Sequence, residues 1–205
     1  MTSYEYDNNL RTQYGPLVCG TDECGRGSWV YSIVAASVVM KPDYYNAKIK
    51  DSKLLSEKLR AQLYQEIIDN SLYYKIVEAD NHYIDKWGIN KANIYVMEES
   101  AKESKANIYV VDQSPAFSLN PYLMMPKADS ISFTVSCASI LAKHYHDSNL
   151  IEIAKSYPEY NWNNMIYVID RPDQFEYTEH YNETNKSTNE YTFMREMLDY
   201  YSPLY

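Results

Sequence analysis

Short apolar runs alternate along this chain with segments in which apolar residues recur every three or four positions. Runs of about four to eight residues rich in β-branched types are typical of buried strands, and the longer spacing is typical of helices. Ser56 stands directly before one such helical segment, where an N-cap is expected. The pattern predicts strands over 16–23, 29–40, 74–80 and 107–112, and helices over 56–68, 90–104 and 132–147.

The two ends of the chain carry weaker patterns. Residues 1–15 mix charged and polar side chains and are predicted to form a tail or an edge segment. Beyond about residue 150, polar and Tyr-rich helical or loop segments are expected. No linker divides the 205 residues, a length typical of one domain, so we predict a single domain over 16–205. Along the chain, two strands come first and further strands then alternate with helices. This order predicts an α/β fold with a mixed sheet.

Composition narrows the class of protein. Hydrophobic residues make up 45% of the chain and charged residues 23%, as in globular proteins. The formal charge of −9 argues against a nonspecific basic coat for nucleic acid, although bound metal ions can reverse the field at one site. Three cysteines lack zinc-like spacing, and no apolar run reaches the roughly 18 residues of a membrane span. We therefore expect a cytoplasmic protein with no membrane contact.

The segment Gly20-Thr-Asp-Glu-Cys-Gly-Arg-Gly27 is the strongest local feature. Two adjacent acids, Asp22 and Glu23, at the end of a predicted strand are costly unless they are hydrated, hydrogen-bonded or bound to a cation. The following Gly25, Arg26 and Gly27 permit close backbone approach and supply N–H groups and a guanidinium, which suit a phosphate. A hydrated turn with surface charges is the alternative interpretation.

Two further acids end predicted elements. Asp112 closes a predicted strand and Asp147 closes a predicted helix. Taken alone, Asp112 could be an ordinary turn residue and Asp147 a solvated helix end. In open α/β sheets, sites form at the carboxyl ends of strands, so Asp22 and Asp112 converge if their strands are neighbours. The four acids Asp22, Glu23, Asp112 and Asp147 would form an all-oxygen cage that favours Mg²⁺ or Mn²⁺. Two such ions would activate a water and stabilise a leaving oxygen.

An ordered series of blocks over roughly residues 16–162 resembles the ribonuclease HII, or type 2 ribonuclease H, family. The blocks are Gly20–Gly27, Asp51-Ser-Lys53 with Ser56-Glu-Lys58, Ile84-Asp85 with Gly88-Ile-Asn90 and Ala92-Asn93, Val111-Asp112, Lys127-Ala-Asp-Ser130, Ala138–Lys143 with Asp147, and Tyr157-Pro-Glu-Tyr160. The resemblance implies a ribonuclease H-like fold, with a mixed five-stranded sheet flanked by helices and a helical C-terminal portion.

The resemblance also implies an activity. The four acids named above would bind Mg²⁺ or Mn²⁺, and Gly25–Gly27 would read the ribonucleotide 2′-hydroxyl and the adjacent phosphate. The reaction would be hydrolysis 5′ to a ribonucleotide in an RNA–DNA hybrid or in duplex DNA, leaving 3′-hydroxyl and 5′-phosphate ends. Lys53 and Lys143 are candidate phosphate contacts, or else ordinary solvated lysines. A hybrid-binding module without catalysis, and a related nuclease that prefers long hybrids, are the alternatives.

The sequence departs from the family pattern at several positions. His146 replaces the Arg expected before the last acid, and Gln113 replaces a Gly. The resemblance implies a Tyr that contacts the sugar at the junction; Tyr167 is our candidate, Tyr177 is the second, and a merely packed Tyr167 is the alternative. Residues 194–201 have the spacing of a sliding-clamp-binding peptide, although a helix-end aromatic cluster is the favoured interpretation. We expect a monomer.

Overall fold

The computed structural model describes residues 1–26, 32–50 and 52–156. Within these ranges the strands are β1 (Val18–Cys24), β2 (Ile33–Met40), β3 (Ser71–Ala79), β4 (Ile108–Asp112) and β5 (Tyr122–Met125). The helices are α1 (Ser3–Tyr14), α2 (Glu57–Asn70), α3 (Asn81–Trp87), α4 (Ile89–Ala101) and α5 (Phe133–Ser156). Short 3₁₀ turns cover Ser52–Leu54 and Ala128–Ser130.

The five strands form one mixed sheet in the order β3-β2-β1-β4-β5. β2 pairs antiparallel with both β1 and β3, whereas β1–β4 and β4–β5 are parallel pairs. The register of the central parallel pair sets Thr21 opposite Val111. The predicted mixed five-stranded α/β fold is therefore confirmed, and the C-terminal portion beyond residue 156 lies outside the described residues.

Both faces of the sheet are covered by helices, which explains the nearly continuous apolar run of β2. Val34, Ala36 and Val38 point to the face packed by α2 and α5. Ile33, Ala35 and Val39 point to the opposite face, where α4 packs. All six side chains are buried, and the polar Ser37 between them is also buried, with its hydroxyl hydrogen-bonded to Thr21 and Ser100.

The helices predicted from spacing are present, with shifted ends. The Ser56 hydroxyl accepts a hydrogen bond from the amide of Leu59, which confirms the predicted N-cap of α2. α5 continues to Ser156 rather than ending near residue 147, and Leu150 in this extension is buried. Among the described helices, none combines the length and the apolarity that crossing a membrane requires.

Residues 1–15 were expected to form a tail or an edge segment. Residues 3–14 instead form helix α1. Thr2 and Glu5 form a capping box at its start. Asp7 is fully buried and accepts hydrogen bonds from the Ser132 hydroxyl at 2.7 Å and the Thr134 amide at 2.8 Å. These bonds attach α1 to the first turn of α5. The domain boundary drawn at residue 16 remains a prediction.

Candidate metal centre

Three carboxylates meet at one edge of the sheet. β1 and β4 are parallel neighbours, so their carboxyl ends lie side by side. Asp22 and Glu23 lie near the end of β1, and Asp112 is the last residue of β4. One carboxylate oxygen from each of the three lies within 4.8 Å of the other two. The structure thus brings together three of the four acids selected from the sequence.

Burial and mutual repulsion disfavour the charged forms of the two β1 acids. Asp22 is 5% exposed, and its pKa is raised well above its usual range by burial and by the charges of Glu23, Asp112 and Asp129. The Glu23 pKa is raised to about 7 by burial and by the charge of Asp112. Within the described residues, the charges of Arg26 and Lys53 act on Glu23, but burial and the charge of Asp112 outweigh them.

The donor set fits a hard divalent cation. Every candidate ligand atom is a carboxylate oxygen, the ligand type that Mg²⁺ and Mn²⁺ prefer. The Glu23 Oε2 atom is buried and accepts no hydrogen bond within the described part of the chain. An orphaned buried carboxylate oxygen is expensive, and a coordinated cation would satisfy it.

Asp147 is not part of this group, which corrects the four-acid cage. Its Oδ2 lies 2.7 Å from Arg60 Nη2 on α2, and its Oδ1 lies 3.0 Å from Lys143 Nζ one turn earlier on α5. Burial opposes ionisation of Asp147, but His146, Lys143 and Arg60 outweigh it and lower its pKa. Asp147 is therefore already neutralised by two cations and joins α2 to α5.

Asp129 is a further buried acid near the metal centre that was not selected from the sequence. It lies in the 3₁₀ turn Ala128–Ser130, is 7% exposed, and its charge helps to raise the pKa of Asp22. The amide of Ala128 donates to Asp112 Oδ1 at 2.9 Å, which holds this turn against the end of β4. The signal available in the sequence was the Lys127–Ser130 block, to which we gave no role.

Of the remaining candidate residues, some lie near the metal centre, one is held in an ion pair, and two lie outside the described residues. Gly25 has φ +96°, and a Cβ there would overlap the carbonyl oxygen of Ser32, so this turn requires glycine. Arg26 and Lys53 are exposed, and their charges act on Glu23, lowering its pKa against the dominant effect of burial. Lys143 is buried in the ion pair with Asp147. Gly27 and Tyr167 lie outside the described residues.

The mixed five-stranded sheet with flanking helices is the fold that solved ribonucleases HII and HIII share, and the acidic centre lies at the carboxyl ends of its central strands. The model of the family "Ribonuclease HII" matches residues 19–166. The chain belongs to the ribonuclease HII family, and it is an endoribonuclease of type 2.

Known relatives and structures agree with this assignment. A ribonuclease HII of Caldicellulosiruptor saccharolyticus is 35% identical over 163 residues, which cover 78% of this chain and 79% of the relative. Ribonuclease HII in a complex with PCNA from Archaeoglobus fulgidus is 23% identical, with a TM-score of 0.59 over 69% of this chain and 78% of that one. Bst-RNase HIII in complex with Mn²⁺ is 19% identical, with a TM-score of 0.60. The match covers 71% of this chain and 56% of that one. At these identities the two structures show the shared fold.

Proposed function

We propose that this enzyme hydrolyses the phosphodiester bond on the 5′ side of a ribonucleotide, in RNA–DNA hybrids and in duplex DNA that contains ribonucleotides. The products would carry 3′-hydroxyl and 5′-phosphate ends. The observation that carries the proposal is the convergence of Asp22, Glu23 and Asp112, within 4.8 Å, beside the turn that contains Gly25 and Arg26.

We propose Mg²⁺ or Mn²⁺ as the cofactor, held by Asp22, Glu23 and Asp112, with Asp129 as the nearby fourth acid. The oxygen-only donor set and the buried surplus of negative charge support this choice, and a solved ribonuclease HIII is described with Mn²⁺. When bound, a divalent cation neutralises charge on the phosphodiester and lowers the pKa of the attacking water. Four acids offer enough oxygens for the two ions expected from the sequence.

The turn after β1 is suited to reading the ribonucleotide. Gly25 has no side chain, so the backbone there can approach the sugar closely, and the exposed guanidinium of Arg26 can pair with a phosphate. A 2′-hydroxyl distinguishes RNA from DNA at such a site. Lys53 is exposed beside Glu23 and remains our candidate for a phosphate contact. The roles of Gly27 and Tyr167 stay predictions.

We assign Lys143 and Asp147 a positioning role in place of the contacts expected for them. Their ion pair, completed by Arg60, holds α5 against α2. The Ser139 hydroxyl, two turns earlier on α5, lies 2.9 Å from the Ser52 hydroxyl and also hydrogen-bonds to Asp22. Fixing α5 therefore fixes one polar neighbour of the metal centre.

The partners beyond the substrate stay proposals. The Archaeoglobus fulgidus relative is described in a complex with PCNA, which supports testing residues 194–201 as a clamp-binding peptide. Those residues lie outside the described ranges. The monomeric state and the cytoplasmic location stay predictions from the sequence.

The test is a cleavage assay with two labelled substrates, a DNA duplex with one embedded ribonucleotide and an all-RNA strand paired with DNA, in Mg²⁺ and then in Mn²⁺. We expect cleavage 5′ to the single ribonucleotide. Asp112→Asn should lower the rate by at least about 100-fold, since loss even of an outer-shell partner of a metal costs about 10- to 100-fold. The exposed Asp43→Asn is the matched control and should cleave normally.

Other outcomes would change the proposal. Cleavage of only the long hybrid would keep the metal chemistry and remove the reading of a single 2′-hydroxyl. Binding of both substrates without cleavage would favour the hybrid-binding module. Normal cleavage by Asp112→Asn would contradict the metal assignment.

A further inference from the structure

Five side chains on α3 and α4 form an exposed aromatic and basic surface, here called the Trp87 cluster: Tyr83, Lys86 and Trp87 on α3, and Lys91 and Tyr95 on α4. Trp87 is 46% exposed and Tyr95 is 38% exposed. Tyr83 stacks on Tyr95 with ring centroids 4.7 Å apart, and its centroid lies 6.5 Å from that of Trp87. Large aromatic rings held partly in water at one place are a candidate recognition surface.

Two ammonium groups flank the exposed indole. Lys86 Nζ lies 5.1 Å and Lys91 Nζ 5.3 Å from the centroid of the Trp87 ring, both within the range of a cation–π contact. Both lysines are exposed. In a chain of net charge −9, the indole thus has two ammonium groups beside it, although the exposed Asp85 precedes Lys86 in the sequence. That combination suits a partner with both negative charge and planar rings.

The cluster lies at the sheet edge that carries the metal centre. β2 pairs with both β1 and β3, and its first residues set Cys24 opposite Val34 and Ala79 opposite Ile33. The carboxyl ends of β1 and β3 therefore lie at the same edge, and α3 begins two residues after Ala79.

A direct contact also joins α4 to the end of β4. The Ser114 hydroxyl, two residues after Asp112, donates to Asn93 Oδ1 at 2.7 Å. Asn93 lies one turn into α4, close to Lys91 in the sequence. The first turns of α4, which carry Lys91, are thus held at the end of β4 that carries Asp112.

We propose that the Trp87 cluster binds an unpaired nucleic-acid strand that adjoins the substrate duplex, with the indole stacked on a base and the two lysines at neighbouring phosphates. Bases within a duplex are already stacked on each other, so an exposed indole needs an unpaired base as its partner. Stacking of this kind is tolerant of sequence, because every base has a π face. The inference rests on the proposed function, since it extends the contact with the same substrate.

The cluster is separate from the residues that carry the family resemblance. Lys86 and Trp87 stand between Ile84-Asp85 and Gly88-Ile-Asn90 and contribute to neither half of that block. At Gly88, the next residue, a Cβ would have no described atom within 4 Å apart from its chain neighbours, so there is open space beside Trp87.

The test compares a blunt duplex containing one ribonucleotide with the same duplex carrying a single-stranded thymidine extension of about ten nucleotides, on either side in turn. Binding is measured by fluorescence anisotropy in an Asp112→Asn background with Mg²⁺, so that cleavage does not interfere. We expect the parent to bind one extended duplex more tightly than the blunt one. Trp87→Ala should weaken binding of that extended duplex about tenfold and leave the blunt duplex unchanged. Trp87→Phe should retain most of the affinity.

Two further variants separate charge from stacking. Lys86→Gln and Lys91→Gln should each reduce the slope of log affinity against log salt by about 0.7 for the extended duplex. Tyr74→Ala removes an exposed aromatic residue from β3, outside the cluster, and is the matched control. It should bind both duplexes like the parent.

The outcomes distinguish this inference from the proposed function. Equal binding of both duplexes by the parent, or unchanged binding by Trp87→Ala, would overturn the role of the cluster, whatever the cleavage assay shows. If Trp87→Ala no longer prefers the extended duplex, the role of the cluster is supported. This holds even if the protein without the Asp112→Asn change cleaves neither substrate.

Discussion

Glu23 links the charge of the metal centre to pH. Its pKa is about 7 in the folded chain against 4.5 for an ordinary glutamate, because of burial and the charge of Asp112. Without metal, its contribution to the free energy of unfolding is therefore complete below about pH 4.5 and is lost as the pH rises through about 7. Cation binding needs the deprotonated form, so it should strengthen over the same range.

The measurement is the melting temperature with and without Mg²⁺ between pH 6 and pH 8. We expect the stabilisation by Mg²⁺ to grow with pH, and the Glu23→Gln variant to lose most of that growth. A stabilisation that stays constant with pH in the parent protein would contradict the assignment of Glu23 as a ligand.

We propose that Asp129, which had no role in the sequence analysis, takes the place at the metal centre that was expected for Asp147, and two matched variants test this. Asp129→Asn should lower cleavage at least about tenfold and weaken stabilisation by Mg²⁺. Asp147→Asn should lower the free energy of unfolding by about 2 to 4 kcal/mol, because Arg60 and Lys143 lose their charged partner. It should keep the response of the melting temperature to Mg²⁺. The opposite pattern would restore Asp147 as a metal ligand.

At the residue scale, the sequence selects three acids that the structure brings together, and it does not reveal the surroundings of Asp129 and Asp147. Asp22, Glu23 and Asp112 follow apolar runs, and their convergence needs only that β1 and β4 be neighbours. The role of Asp147 depends on Arg60, which is distant in the sequence and is brought near by packing of α2 on α5. The position of Asp129 depends on a short turn held by a hydrogen bond to Asp112. Neither relation has a local pattern.

Helix α5 and strand β1 touch at Gly20, where no side chain separates them. A Cβ at residue 20 would overlap the backbone of Thr134 and Val135, which cannot rotate away. We expect Gly20→Ala to lower the free energy of unfolding by about 3 kcal/mol or more. Gly88→Ala is the comparison, since residue 88 has open space and only a positive φ, and it should cost about 1 kcal/mol.

Urea unfolding of both variants measures the difference. Because α5 also places Ser139 beside Asp22, Gly20→Ala should reduce cleavage as well as stability. Equal costs at the two glycines would show that the β1–α5 contact can relax.

At the element scale, periodicity locates helices and strands with a clear buried face. It overlooks elements that bury few side chains. β2, β4 and α2 have clear patterns and were predicted near their true positions. α1 was missed because only Asp7 and Leu10 are buried in it, and one of those is an acid. β5 is a short edge strand with no buried residue and therefore has no pattern to read.

For the molecule as a whole, bound metal should be a stabilising ligand. A ligand at about 100 times its dissociation constant adds about 2.7 kcal/mol, which for a domain of this size corresponds to roughly 5–10 °C. We expect Mg²⁺ or Mn²⁺ to raise the melting temperature by this order. Asp22→Asn should melt higher than the parent without metal, because a buried like charge is removed, and should lose the response to metal. If neither Mg²⁺ nor Mn²⁺ changed the melting temperature of the parent protein, the assignment of the metal centre would be contradicted.

The parallel pairing of β1 with β4 has a consequence for folding. Asp22 and Glu23 can join the β1–β2 hairpin as soon as residues up to about 40 are available, and in that hairpin they face no third acid. Asp112 arrives only when a strand far along the chain docks beside β1. Distant pairings of this kind form late, because their loop must first be closed. The repulsion between Asp112 and the two β1 acids therefore opposes the docking of β4 and not the first hairpin, and a divalent cation present during synthesis would favour that docking step.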